Sequence, residues 1–168
     1  MGVVARPLPR ALVVLPVLFG LQVALAAEIR LWAVSGDVLL LAAITAGLVG
    51  GPERGARYGF ALGILSDLVT RLPLGIAGLT FAAVAYAVGF VPEPVLDRRR
   101  AYVGVVAGAT AVAAVFQAVV AVLFGRDDLV GVGIPKIAVI MAVLHAVAAL
   151  PMRAVGRFVL LTGEFGRR

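Results

Sequence analysis

Apolar residues in this chain come in long unbroken blocks, separated by short charged clusters. The first block runs from Ala11 to Ala27, after Arg6 and Arg10, and stops at Glu28 and Arg30. The second runs from Val38 to Gly51, behind Asp37. A third covers roughly Ala56 to Leu72 and contains Asp67; Pro73 lets a fourth begin at once and continue to Val91. The cluster PEPVLDRRR breaks the pattern before a fifth block, Ala101 to Phe124, the longest and cleanest. GRDDLVG separates it from a sixth, roughly Gly133 to Leu150, with Lys136 near its start.

None of these blocks alternates with period two, so an outer-membrane barrel is excluded. A lipid-exposed peptide group without a partner costs several kcal/mol, which leaves helices as the spanning element. A spanning helix needs about 20 residues, with a range of about 17–25. Blocks one, four, five and six meet that length. Blocks two and three are marginal and form either two short spans or one re-entrant pair. The expected fold is therefore all-α: a polytopic membrane bundle of about six transmembrane helices, in one domain over residues 1–168. Pro16 is expected to kink the first span. The basic start, the apolar stretch and Ala24 to Ala26 also resemble a cleavable signal peptide, although the block is slightly long for one.

Composition agrees with the pattern. Of 168 residues, 62% are hydrophobic and 14% charged, where a soluble domain carries about 25% charged residues. The formal charge of +6 would point to nucleic acid in a soluble protein. Here the arginines border apolar blocks, so membrane orientation is the better reading and no nucleic-acid partner is expected. With six spans and the N-terminus inside, eleven of the 15 basic residues fall on cytoplasmic segments, the bias that the positive-inside rule requires. A re-entrant second and third block would move Arg54 and Arg57 to the outer face and weaken that bias. Both termini are accordingly expected in the cytoplasm. Trp32 and Tyr102 fit the interfacial aromatic preference. The run Asp97 to Arg100 is expected at anionic headgroups.

The most distinctive stretch is GARYGFALGILSDLVTRLPLG. Gly55, Gly59, Gly63 and Asp67 recur every four residues, so they share one helix face. Glycine at that spacing lets another helix approach closely and pack by van der Waals contact. Asp67 is an ionisable group inside a span, a costly placement. Three roles are open to it: orienting its helix, contacting a partner or ligand, or carrying protons. Arg71, one turn further on the same face, is placed to pair with it. Gly75 opens the next block. Asp37 is either an outer boundary marker or an N-cap. Gln117 can bridge to another helix, and His145, isolated in sequence, is expected to pack or hydrogen-bond.

Several chemistries are missing. Cysteine is absent, which removes disulfides, thiolate metal sites and a cysteine nucleophile. No Walker loop, dinucleotide fingerprint or HExxH occurs, and Ser66, Asp67 and His145 make no credible triad. No catalytic residue, cofactor or metal is expected, and enzyme is the disfavoured class.

The chain resembles the MreD family of the bacterial rod-shape and cell-elongation system. The resemblance rests on the basic N-terminus, on Asp37 opening a leucine-rich second span, on GPERG as a tight turn, and on YGFALGILSDLVTRLPLGIAGLTFAAVAYAVG. The family's core helix has the form G-F-x-x-G-x-x-x-D, followed after a short turn by a glycine that opens the next span. Gly59, Phe60, Gly63, Asp67 and Gly75 match it. Gly36 stands where the family usually has proline. The resemblance implies a non-enzymatic, multi-pass protein of the bacterial inner membrane. It would act with MreC, and through the complex with MreB, RodA and its transpeptidase partner, in lateral peptidoglycan synthesis. The family also resembles the substrate-binding subunits of vitamin transporters. That supplies a rival reading, in which Asp67, Gln117 and His145 converge on a small molecule.

Overall fold

A computed structural model describes residues 16–17, 20, 37–70, 74–123, 125 and 134–160. The first apolar block lies outside the described residues, except for Pro16, Val17 and Gly20, which are helical. So do its signal-like features and Trp32.

Among the described residues every regular element is a helix: α1 Val38–Gly50, α2 Pro52–Thr70, α3 Ile76–Val88, α4 Glu93–Asp97, α5 Arg99–Leu123 and α6 Ile134–Leu160. Backbone chemistry sets the breaks between them. Gly51 takes φ 81, a left-handed value that glycine adopts without strain. Pro52 then occupies the first position of α2, where a missing N–H costs nothing. The turn expected over GPERG thus shrinks to Gly51, because Glu53, Arg54 and Gly55 are already helical. Gly75, at φ 107, precedes α3.

One boundary moves much further. The sixth block was expected to end before Pro151, but α6 continues through it to Leu160. Proline removes one N–H and crowds the preceding turn. Within a membrane bundle, neighbouring helices tolerate that defect. The extension carries Arg153 and Arg157 on the same helix as the sixth block.

Helix α1 forms the centre. It is apolar on every side, and Leu39 to Leu48 are buried without interruption. A helix apolar all round belongs in a core or in lipid, and α1 is packed against α2, α3, α5 and α6. Outside it, α5 and α6 run antiparallel in a fixed register. Thr110 meets His145, and eight residues nearer the α5 start, Tyr102 meets Arg153. Helix α1 runs parallel to α6, since Gly50 lies beside Leu160 and the backbone of Asp37 is an electrostatic neighbour of His145.

This register puts Arg54, Arg57, Arg98, Arg99, Arg100, Arg153 and Arg157 at one end of the bundle. The Arg54/Arg57 cluster thus sits at the same end as the DRRR cluster, unlike the re-entrant alternative. Tyr102 stands at this same end but faces inward. It is fully buried, because the first turn of α5 turns it inward beneath Arg153.

Two described helices, α5 and α6, are long and apolar enough to cross a membrane. Their outward faces carry Val112, Val115 and Val119, and Val139, Val143 and Val147, all exposed at the three-to-four-residue spacing of a lipid-facing stripe. Helices α1 and α3 have 13 residues each, about 20 Å, and are shorter than a hydrocarbon core of about 30 Å.

Candidate functional site

The α2 glycines face α3 in an antiparallel zipper. A Cβ added at Gly55 would stand 2.8 Å from the carbonyl oxygen of Ala85, and one at Gly59 would stand 2.6 Å from that of Phe81. At Gly63 it would strike the carbonyl of Ala77 and the Cα of Gly78. Each step of four residues along α2 is matched by four along α3, so one seam of backbone contact runs the length of the pair. Gly47 of α1 joins it, lying against Ala85 and Gly55.

Asp67 closes the seam. Its Oδ2 accepts from the backbone N–H of Gly75 at 2.8 Å and of Gly78 at 3.4 Å, and its Oδ1 accepts from Ala77 at 3.0 Å. These are the amide groups that a helix start leaves without intrahelical partners. A carboxylate also suits the positive end of the helix dipole. Helix α3 is therefore capped in trans, by an acid on the preceding helix. Arg71, the expected counter-ion, lies outside the described residues.

Asp37 does the same work in cis for α1. Its Oδ1 accepts from Leu39 N–H at 3.1 Å and Leu40 N–H at 3.2 Å. Its Oδ2 accepts from Ser66 Oγ at 3.1 Å. Asp37 is thus a buried cap, not an exposed boundary marker. Ser66 and Asp67 are neighbours on α2, and between them they tie down the starts of both flanking helices. His145 completes a polar layer at this level. It is 3% exposed, and its Nδ1 stands 2.8 Å from Thr110 Oγ1. Nε2 has no hydrogen-bond partner.

Asp67 is 1% exposed and points into the bundle. A partner approaching this end would meet the turn that the carboxylate holds, where Leu74 is 64% exposed. Gln117 stands half-buried on α5, two turns beyond Thr110 and outside the polar layer. The three polar residues from three helices therefore do not close on one small-molecule pocket.

The family model for the rod shape-determining protein MreD matches residues 9–159. The chain belongs to the MreD family. No curated protein and no solved structure matches it. The family match brings with it a membrane protein of the rod-shape system and gives the transporter reading no support. Within this MreD chain, the motif of glycines and acid is the α2 side of the seam, and Gly75 is the residue whose N–H the acid holds.

The structural roles of Ser66, Thr110 and Gly47 were missed by sequence reasoning. A polar residue beside Asp67 was visible for Ser66, but its bond reaches back 29 positions. Thr110 could have been marked as a hydroxyl inside an apolar block, and Gly47 as a fourth small residue on a facing helix.

Proposed function

We propose that this MreD chain is a non-enzymatic component of the cell-elongation complex in the bacterial inner membrane, supporting lateral peptidoglycan synthesis. Its expected partners are MreC and, through the complex, MreB, RodA and a transpeptidase. The observation that carries this reading is the near full-length family match. The geometry fits a scaffold, since Asp37, Ser66 and Asp67 hold helix starts together. Deleting the gene from its host should turn rods into spheres, and a tagged copy should restore rods and capture MreC from membranes. Unchanged shape together with no MreC capture would reject the assignment.

The same proposal includes six spans with both termini in the cytoplasm. The clustering of seven arginines at one end of the bundle supports it through the positive-inside bias. Reporter fusions after Asp97 and after Asp128 should report opposite sides of the membrane. Signals from the same side would sink the six-span topology while leaving the family role intact.

A further inference from the structure

The arginine-rich end of the bundle holds a cavity of about 200 Å³ between α1, α4, α5 and α6. Glu93 and Asp97 line one side, Arg153 and Arg157 the other, and Tyr102 and Leu48 are also part of its wall. Arg153 stacks on the Tyr102 ring at 4.8 Å and stands 3.7 Å from Asp97, too far for a hydrogen bond. Arg157 and Glu93 make no ion pair among the described residues. Tyr102 is fully buried, and its hydroxyl lies beside the buried hydroxyl of Thr45. The cavity thus gathers two cations and two anions joined by one long ion pair, with Glu93, Asp97 and Arg157 exposed.

Guanidinium groups match phosphate oxygens, with short charge-assisted hydrogen bonds. Carboxylates match an ammonium group. A ligand that carries both charges on adjacent groups satisfies both walls at once. The cavity is smaller than the roughly 300–1,000 Å³ of a typical ligand pocket, so it takes a headgroup and not a whole molecule. Its level along the bundle is that of the exposed arginines Arg98 to Arg100, where headgroups lie.

We propose that this cavity seats the headgroup of an amine-bearing zwitterionic phospholipid, with its phosphate between Arg153 and Arg157 and its ammonium toward Glu93 and Asp97. The acyl chains stay in the bilayer. The proposal needs the charged end to lie at headgroup depth. It does not depend on which leaflet that is, or on the partners of the complex.

The full chain would be reconstituted into nanodiscs of equal phosphatidylethanolamine, phosphatidylglycerol and phosphatidylcholine. Native mass spectrometry would then count the lipids it retains. Phosphatidylethanolamine should be retained above the other two. Arg157→Gln should weaken that retention about tenfold or more, the effect of losing one charge-assisted contact. Glu93→Gln together with Asp97→Asn should abolish the preference for the amine while phosphate-bearing lipids still bind. Arg57→Gln, at the same end and paired with Glu53, should change nothing. Arg157 is exposed, so its replacement leaves the core intact, and elution volume and helix content check this. Equal retention of the three lipids, a preference for phosphatidylglycerol, or wild-type retention by Arg157→Gln would each overturn the proposal.

Discussion

Gly63→Leu should strip most of the protein from the membrane. A side chain there meets the Ala77 carbonyl and the Gly78 Cα, and backbone does not step aside as a flexible side chain would. Overpacking a tight contact costs about 1–3 kcal/mol and occasionally more. The upper end applies here because α2 and α3 would separate along the whole zipper. For a chain of this size, about 3 kcal/mol lowers a melting temperature by roughly 6–12 °C. Gly108→Leu is the matched control. It adds the same bulk within an apolar span, at a position with nothing within 4 Å. Membrane abundance and melting in detergent should separate the two variants clearly. A Gly63→Leu protein that melts with wild type would remove the seam from the account.

Asp67→Ala should be nearly as damaging, for a different reason. It strands the N–H groups of Gly75, Ala77 and Gly78 at the start of α3. Each unsatisfied buried donor costs about 1–3 kcal/mol, although polar contacts measured within membranes average nearer 0.6 kcal/mol. Asp67→Asn should fall between Ala and wild type. Its oxygen can serve Gly75 and Gly78, but its amide nitrogen then confronts the N–H of Ala77, donor against donor. From sequence alone, asparagine promises to keep most of the hydrogen bonding, and a purely structural Asp67 would make it almost silent. Three amides on one carboxylate change that expectation. At matched membrane levels, MreC capture then distinguishes a partner role from a packing role. If both variants melt and capture MreC as wild type does, the trans cap is irrelevant.

How much of this could be read from the chain depends on where each residue's partners lie. The glycine face was legible because its periodicity sits within one helix, and four-residue spacing needs no knowledge of the neighbour. What Asp67 does was not legible, since its three donors belong to the next helix, beyond a turn. The nearer group on its own face, Arg71, drew attention instead. Asp37 left two readings open, and burial separates them. The Thr110–His145 contact spans 35 positions, and only the antiparallel register of α5 and α6 brings it about. The run of α6 beyond Leu150 was not legible for a local reason: proline disfavours a helix interior, and the bundle overrides that here. The inward turn of Tyr102 was not legible, because an aromatic residue near a charged cluster does not reveal its helix phase.

The enclosure of α1 has a consequence for how the molecule is made. Residues 38–50 leave the ribosome early, but one of the helices that cover them does not begin until residue 134. Lateral association of inserted helices, not insertion itself, then becomes the step that closes the structure. Until α6 arrives, α1 is a short, uniformly apolar rod with one flank bare, held through Gly47 to the hairpin that follows it. Synthesis thus builds the middle of the bundle before its wall, and a chain interrupted between Leu123 and Ile134 displays to the cell's quality control the surface that the finished protein hides.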